Sequence, residues 1–493
     1  MKTKIGLYSC GNKPYWRQFA GLEERMISYG AFIGKKMQSI ADVEVCNFGL
    51  VDSFEKGKEA GEYFAREGVS IVFCHVATYS PSSNVLPVHK ACRAKTVILN
   101  LQPCVKINYA ETDTGEWLAH CNACAVPEVC NALERSGIGY TVINGLLGQD
   151  STPACSKTDE RTADRPEAAA AWKEIGEWLR AADAVSGLNG TRFGFLGNYY
   201  NGMLDMYSDL TLLSSAFGID ISILEMCDVK SCLDRVTEGE VKEKLEEILR
   251  FFQIGGDSRA AAEARRPTQE QLEWSARVAC AEKRLVDEFS LDALTYYYHG
   301  AEGGEYERIQ SGFIVGNSLL TAAHVPCAGE ADIKTCIAMK LSDLLGVGGS
   351  FSEIVTTDYE QGTILLGHDG PFHISIAEGT PMLRGMGVYH GKQGMGVSVE
   401  AKVRKGEVTT LGIAQTAGGK VRMIISEGVA TDGEIMQIGN TQTHVRFSLP
   451  PDRYMDEWFR AAPTHHVAMS VGRNGAVFRK IAELLGVEAC TVG

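Results

Sequence analysis

The sequence predicts an α/β protein with two doubly wound α/β domains, Rossmann- or flavodoxin-like, followed by an antiparallel, barrel-like β domain. Short apolar runs alternate with helical patterns through residues 1–190 and again through 191–325. Several of these runs, such as 70–74, are apolar at almost every position, which is typical of strands buried in a parallel sheet. From about residue 372 the apolar period falls from about 3.6 to about 2. We therefore expect domains at 1–190, 191–325 and 326–493.

The first domain is predicted to alternate strands and helices from its first residues. The expected strands are 5–8, 43–46, 70–74, 96–100 and 140–144, with helices at about 15–37, 54–65 and 167–182. Ligands of such sheets bind beyond the carboxyl ends of the strands, which here carry Lys13, Thr78 and Gln102. No Gly-x-Gly-x-x-Gly motif opens a helix after a strand, so the pattern gives little support to a dinucleotide site.

The second domain repeats this alternation, whereas the third changes to consecutive strands with Gly-rich turns. The expected strands of the second domain are 191–196, 219–224 and 294–298, with helices at about 238–252, 269–289 and 312–320. The expected strands of the third domain are 372–376, 397–401, 408–413, 421–426 and 443–448, before a helix at about 476–485. Consecutive short strands of period 2 predict an antiparallel sheet or a small barrel.

Composition and charge narrow the function classes. The net charge of −14 lacks the basic footprint that nucleic-acid binding requires, and Lys and Arg form no cluster. No apolar run approaches the ~20 residues of a membrane span, and the N-terminus shows no signal-peptide pattern. The 15 cysteines are expected to be reduced thiols, as in a cytoplasmic protein. We therefore expect a cytoplasmic protein with neither nucleic acid nor membrane as a partner.

One group of cysteines suggests a zinc site but is incomplete. His120, Cys121, Cys124 and Cys130 lie close together, and the Cys-x-x-Cys spacing is found in structural zinc sites. Such sites normally contain a second pair of ligands, and the sequence has no second Cys-x-x-Cys. We therefore favour buried cysteines of a helix over a zinc site.

The segment from 326 to 368 places two carboxylates and a histidine where a metal site is plausible. Residues 329–345 predict a helix with Glu330 in its first turn, where the macrodipole favours a carboxylate. A Gly-rich turn then leads to Glu353, and a strand at 363–366 leads to His368. The alternative, on spacing alone, is that both glutamates are solvated and that His368 caps a strand.

A resemblance to a known protein superfamily favours the metal site over solvated glutamates. The segments AGEADIKT, SFSE and LLGH, together with APTHHVAMS near the C-terminus, resemble the metal-site motifs of the L-arabinose isomerase and L-fucose isomerase superfamily, in the same order. The resemblance implies that Glu330, Glu353, His368 and His466 ligate a divalent metal ion. It also implies that Glu330 and Glu353 perform acid–base catalysis. His465, which adjoins His466, is a candidate hydrogen-bond donor to substrate, and the alternative is that it is structural.

The chemistry that the resemblance implies is a metal-dependent ketol isomerisation of an open-chain sugar or sugar derivative through a cis-enediol. Two carboxylates and imidazoles without a thiolate suit Mn²⁺, with Mg²⁺ and Co²⁺ as alternatives. Other hypotheses are an epimerase or another enediolate-forming lyase on the same metal site, or a non-catalytic sugar-binding homologue. The resemblance further implies a homotrimer or homohexamer with pockets at the subunit interfaces.

The N-terminal substrate motifs depart from the family. Gly11-Asn12-Lys13 stands where arabinose isomerases carry Gly-Ser-Gln, and Asn122 begins the stretch that corresponds to Asn-Gln-Thr-Ala-His-Gly. The family's sugar-contacting Gln and His are therefore missing, and a site that hydrogen-bonds hydroxyl groups discriminates strongly between sugars. The sugar is left undetermined. Lys13, Gln102, Asn122 and His465 are the predicted substrate-binding residues.

Overall fold

The computed structural model describes residues 2–300, 303–386, 388–389, 392–393 and 395–493. It divides the chain into two compact units, Met1–Ser186 and Gly187–Gly493. A further boundary between 325 and 326 stays a prediction. No helix among the described residues has the length and apolar character needed to cross a membrane.

The first unit is built on a five-stranded parallel sheet in the order β2-β1-β3-β4-β5. Its strands are β1 Thr3–Cys10, β2 Val43–Val51, β3 Ile71–Val76, β4 Lys95–Gln102 and β5 Tyr140–Leu146. The helices that begin in it are α1 Pro14–Gln18, α2 Leu22–Ile40, α3 Phe54–Glu67, α4 Ser82–Ala91, α5 Thr114–Ala119, α6 Val126–Arg135 and α7 Pro166–Leu188. This strand order is that of flavodoxin-like folds, in which ligands bind at the carboxyl edge of the sheet.

Burial explains why this sheet forms. All six residues of β3 are buried, as the near-continuous apolar run predicts for a central strand with helices on both faces. Helices α3 and α4 cross closely because Gly57 and Gly61 lack side chains. A Cβ atom on Gly57 would lie 2.2 Å from the carbonyl oxygen of Asn84. The first unit therefore depends on glycine at these positions for its helix packing.

The second unit begins with a smaller parallel sheet and its helices. Its strands up to residue 328 are β6 Arg192–Gly197, β7 Asp220–Leu224, β8 Gln253–Ile254, β9 Ala264–Arg265, β10 Ala293–Tyr297 and β11 Cys327–Ala328. Its helices up to that point are α8 Leu210–Phe217, α9 Met226–Leu233, α10 Glu238–Phe251, α11 Gln269–Phe289, α12 Glu305–Gln310 and α13 Phe313–Ala322. Strands β11-β10-β6-β7 form a four-stranded sheet in that order, with every pair parallel.

The rest of the second unit is mainly antiparallel. Its strands are β12 Gly348–Asp358, β13 Thr363–His368, β14 Met382–Met386, β15 Val388–Tyr389, β16 Lys392–Gln393, β17 Val397–Glu400, β18 Gly406–Thr416, β19 Lys420–Ala430, β20 Thr441–Phe447, β21 His466–Val471 and β22 Glu488–Val492. Its helices are α14 Ile333–Leu344, α15 Pro451–Arg460 and α16 Gly475–Leu485, with a 3-10 turn at Ile374–Ile376.

Six of these strands close into an antiparallel barrel. The ring runs β18-β21-β12-β13-β20-β19 and closes because β19 also pairs with β18 along eleven residues. Strand β22 adds to β19 in parallel. The predicted fold class is therefore confirmed, with two parallel α/β sheets followed by an antiparallel barrel.

Some predicted elements were wrong in detail. The helix predicted at 329–345 begins at Ile333, so Glu330 lies outside it, in the turn that precedes it. Glu353 lies within strand β12 and not in a turn. The strand predicted at 372–376 is a 3-10 turn over its last three residues. In each case a contact distant in sequence, in the barrel or at the sheet edge, outweighs the local pattern.

A buried carboxyl group in the second unit gives a pH-dependent prediction. Glu282 on α11 is fully buried, and neither of its carboxyl oxygens has a hydrogen-bond partner among the described residues. Its Oε2 atom lies where a side chain on Gly316 of α13 would begin. Burial raises the pKa of Glu282 well above its ordinary value.

We therefore expect Glu282→Gln to stabilise the protein at neutral pH. Below the unfolded-state pKa the carboxyl group is protonated in both states, so its burial carries no cost of neutralising a charge. Above that pKa the unfolded chain ionises this group while the folded protein keeps it protonated, so the free energy of unfolding falls as pH rises. Glutamine carries no such penalty. The free energies of unfolding of variant and wild type should converge near pH 4 and separate by about 1 kcal/mol per pH unit up to neutrality. Urea titrations across this range measure the difference, and a constant difference would contradict the prediction.

Candidate metal centre

Five potential ligands from four chain segments meet in the second unit. Ligand atoms of Glu330, His465 and His466 lie within 4.8 Å of one another, and so do those of Glu353, His368 and His466. His466 is common to both groups. Glu330 Oε2 lies 3.5 Å from His466 Nε2, and Glu330 Oε1 lies 3.9 Å from His368 Nε2. The structure therefore brings together all four residues predicted from the motifs.

Glu330 reaches the cluster from a strained turn at the end of β11. Glu330 and Ala331 both adopt left-handed backbone conformations, with φ of 59° and 58°. Such conformations are unfavourable for residues other than glycine and persist only where surrounding contacts fix them. One such contact is the hydrogen bond from the Ala331 N–H group to the carbonyl oxygen of Tyr296, at 2.9 Å. The turn holds a buried carboxylate at the carboxyl edge of the parallel sheet.

The barrel supplies the other ligands through strand register. Glu353 of β12 lies directly opposite His466 of β21 on one side and Gly367 of β13 on the other. His368, the last residue of β13, directly follows Gly367, and its ligand atom lies within 4.8 Å of those of Glu353 and His466. Residues opposite one another on neighbouring strands have Cβ atoms about 5 Å apart, close enough to share one ion.

Asp332 fixes the orientation of His466. The Nδ1 atom of His466 lies 3.0 Å from Asp332 Oδ2, and both side chains are fully buried. The other oxygen of Asp332 accepts hydrogen bonds from the N–H groups of Lys334 and Thr335, each at 3.1 Å, and so caps α14. With Nδ1 engaged, His466 presents Nε2 to Glu330. A carboxylate that binds the far nitrogen of a ligating imidazole is a common feature of metal sites.

His465 and His368 also face carboxylates. Asp205 Oδ2 accepts from both the backbone N–H and Nδ1 of His465, at 3.1 and 2.6 Å. His368 Nδ1 lies 3.0 Å from Asp369 Oδ1. Burial opposes protonation of His465, but the nearby carboxylates of Glu330 and Asp205 raise its pKa to about 9. Its Nε2 atom lies 3.7 Å from Glu330 Oε2, so each ring nitrogen faces a carboxylate.

Charge within the cluster keeps Glu330 ionised. Burial opposes ionisation of this carboxyl group, but the neighbouring rings of His465, His466 and His368 lower its pKa below the ordinary value. A buried carboxylate beside imidazoles is the arrangement that a bound cation would complete.

The residues fit a divalent cation. Glu330 Oε2 and His466 Nε2 are buried and have no hydrogen-bond partner among the described residues. Their separation of 3.5 Å suits two atoms that each lie about 2.0–2.4 Å from one ion. Phe351 packs against the rings of His368 and His466, with centroids 4.7 and 4.4 Å away, and covers one side of the cluster.

A small cavity opens at the cluster. Its lining residues are Tyr296, Tyr297, Gln310, Gly329, Glu330, His368 and Gly370. Gln310 and the two tyrosines lie beside Glu330 in this lining. The cavity is about 20 Å³, which is room for a water molecule or an ion and not for a whole sugar.

Four residues near this site were not predicted from the sequence: Asp332, Phe351, Asp205 and Gln310. Asp332 precedes the apolar repeat of α14, so an N-cap signal was present. Phe351 belongs to the SFSE motif that was used for Glu353. Asp205 is 260 residues from His465, and Gln310 ends a short helix, so neither gave a local signal.

The other predicted substrate-binding residues lie in the first unit. Lys13 is exposed and precedes α1. Gln102 ends β4, where its side chain donates a hydrogen bond to the carbonyl oxygen of Cys104. Asn122 is buried and donates to Asn100 Oδ1 at 2.6 Å, while its own Oδ1 has no partner among the described residues. Their roles in substrate binding stay predictions.

The first unit also contains a group of potential metal ligands, but these residues form an ion-pair network with an arginine. Glu116, His120 and Glu160 also lie within reach of one another. The guanidinium of Arg25, however, already pairs with both carboxylates, at 2.7 Å in the case of Glu116. A cation of the chain therefore occupies this position, and the group is a buried ion-pair network.

Comparison with known proteins adds a distant relative. No family model matches the chain. An L-arabinose isomerase from Aeromonas salmonicida (strain A449) is 22% identical over 333 residues. This match supports a distant arabinose isomerase-like relationship. The alignment covers 64% of this chain and 63% of that protein, so the chain matches less than two thirds of its relative's length.

One solved structure is also similar in part. A ligand-free, open substrate-binding protein with adhesive properties from Clostridium difficile covers 70% of this chain and 95% of its own. Its sequence identity is 10% and its TM-score is 0.16, which is too low to support any functional argument.

Proposed function

We propose that this protein is a metal-dependent ketol isomerase that interconverts an aldose and a ketose, acting on an open-chain sugar or sugar derivative. The observation that carries the proposal is the convergence of Glu330, Glu353, His368 and His466, with Glu330 Oε2 and His466 Nε2 unpartnered among the described residues. The distant match to an L-arabinose isomerase supports it.

In this proposal Glu330, Glu353, His368 and His466 hold one divalent cation, Mn²⁺ in the first instance, with Mg²⁺ and Co²⁺ as alternatives. Carboxylates and neutral imidazoles without a thiolate are typical ligands of these ions. When bound, the cation supplies Lewis-acid stabilisation of the negative charge that develops on the sugar oxygens. Asp332 serves the site by keeping Nε2 of His466 directed toward Glu330.

The two glutamates provide the proton transfer. Ketol isomerisation removes a proton from one carbon and returns one to its neighbour through a cis-enediol, so the site needs a carboxylate within reach of both carbons. Glu330 is ionised and lies at the cavity, and Glu353 lies opposite His466 on the neighbouring strand. We assign acid–base work to both residues.

Substrate recognition is assigned to groups that face the cavity and to the predicted residues of the first unit. His465 is held by Asp205 as a donor beside Glu330. Gln310, which lines the cavity beside Glu330, offers its amide to sugar hydroxyls. Lys13, Gln102 and Asn122 are proposed to complete the pocket of a neighbouring subunit in a homotrimer or homohexamer.

Sedimentation tests this assembly. At micromolar concentration we expect species of three or six times the 53.5 kDa chain mass. A monomer at all concentrations would contradict the proposed shared pockets.

The proposed function is tested by incubating the protein with a panel of aldoses and ketoses and following each by NMR. Protein treated with a chelator and then reloaded with Mn²⁺ is expected to convert at least one aldose to its ketose. The chelated protein serves as the control and should be inactive. Products that differ from substrate only at one stereocentre would instead indicate an epimerase, and binding without turnover would indicate a sugar-binding protein.

A further inference from the structure

A pair of thiols in the first unit lies outside the proposed chemistry. Cys121 and Cys124 were predicted as buried cysteines of a helix, but they lie in the loop between α5 and α6, where Cys124 is exposed. Their Sγ atoms are 2.7 Å apart. The Cys124 thiol also donates to the carbonyl oxygen of Cys121 at 2.9 Å. Both residues are free thiols in the structure. The loop therefore holds two sulfurs in contact without a bond between them.

The surroundings of the pair do not form a metal site. Among the described residues, no His, Cys, Asp or Glu joins the two cysteines in a group of three potential ligands. His120 is adjacent in sequence, but its Nε2 faces Glu116 at 3.1 Å and its Nδ1 faces Cys104 at 3.4 Å. A zinc ion needs four ligands in a structural site, so the geometry leaves an isolated dithiol.

The two thiols differ in access. Cys124 is exposed, whereas Cys121 is partly buried. Burial, together with the neighbouring Cys124 thiol, raises the pKa of Cys121 to about 12. Since attack on a disulfide requires access to the sulfur, Cys124 is the residue that an external reagent reaches first.

We propose that Cys121 and Cys124 form a reversible disulfide by exchange with a low-molecular-weight disulfide. The Cys124 thiolate attacks one sulfur of the reagent, which forms a mixed disulfide and releases one thiol. The Cys121 sulfur then loses its proton and attacks the Cys124 sulfur, which forms the protein disulfide and releases the second thiol. Two protein thiols are oxidised and one external disulfide is reduced to two thiols, so electrons and protons balance.

Disulfide formation between Cys121 and Cys124 would restrain the loop that carries Asn122. Asn122 lies between the two cysteines, is buried and donates a hydrogen bond to Asn100 at the carboxyl end of β4. A bond between Cys121 and Cys124 would fix the short loop that carries Asn122. A contact between Asn122 and the sugar rests on the proposed function, and with that contact oxidation of the pair changes the Michaelis constant for the sugar. Formation of the disulfide does not depend on the proposed function.

The test is thiol exchange on the full-length protein with oxidised glutathione. We expect the wild type to lose two titratable thiols and about 2 Da in the peptide that contains residues 121–124, and dithiothreitol should reverse both changes. Cys121→Ser should instead retain glutathione on Cys124, because the resolving thiol is missing. Cys124→Ser should not react in this peptide.

Cys155→Ser is the matched control, since Cys155 is also exposed but lies in another loop. This variant should still form the disulfide between Cys121 and Cys124. The proposal is overturned if both thiols of the wild type stay reduced, or if glutathione remains bound to Cys124 while Cys121 is present. Either result can be obtained on wild-type protein alone and leaves the isomerase proposal unaffected.

Discussion

Replacing Glu330 with glutamine is expected to abolish measurable turnover. The carboxylate lies 3.5 Å from His466 Nε2 and 3.9 Å from His368 Nε2, so its charge belongs to the candidate cation site. Glutamine keeps the shape but removes the charge and the proton carrier. Loss of general acid–base catalysis alone costs about 10²–10⁴-fold, and weaker metal binding adds to that loss. Steady-state rates and bound metal, measured on the same preparation, give both effects.

The matched control is Glu360→Gln, which makes the same chemical change at an exposed residue outside the cluster. Its rate and metal content should equal those of the wild type. Full activity in Glu330→Gln would show that the carboxylate at this position neither holds a catalytic ion nor transfers a proton.

Replacing Asp332 with asparagine is expected to weaken metal binding by about 10–100-fold while the fold is retained. Asparagine is as good an N-cap as aspartate, so α14 should keep its start. The negative charge that orients His466 and lies 4.0 Å from the buried Lys334 ammonium is lost. A buried cation without its partner also destabilises the protein, by up to about 3–5 kcal/mol.

Asp209→Asn is the corresponding control, because Asp209 caps α8 at an exposed position. Titration calorimetry with Mn²⁺ separates the two variants. Unchanged affinity in Asp332→Asn would mean that His466 does not depend on this carboxylate for its orientation, or that it is not a ligand.

Much of the fold could be predicted from the sequence because its strands carry strong local signals. The apolar run at β3 is buried at every position, and such runs with intervening helices leave few arrangements other than a parallel sheet. Closure of the barrel could not be predicted in the same way. It depends on β19 pairing with both β18 and β20, and pairing partners are set by packing across the whole domain.

Long-range contacts also limited the prediction of the candidate site from the sequence. Glu330, Glu353, His368 and His466 were predicted from the motifs and lie together, but the turn at Glu330 was predicted as a helix. Two successive left-handed residues that are not glycine have no sequence signature, since tertiary contacts hold them. The carboxylate of Asp205 was also missed, because its partner His465 is 260 residues away. Long-range hydrogen bonds of this kind become visible only in the folded chain.

In the proposed function, the glutamates of this cluster transfer a proton between adjacent carbons of a sugar. The most direct measurement is the reaction of the Mn²⁺-loaded protein in deuterated water, with the product analysed by NMR. A proton carried by a carboxylate exchanges with solvent, so deuterium should appear in the product at the carbon next to the carbonyl. Product formed without solvent deuterium would indicate a hydride shift between the two carbons and would contradict the enediol account.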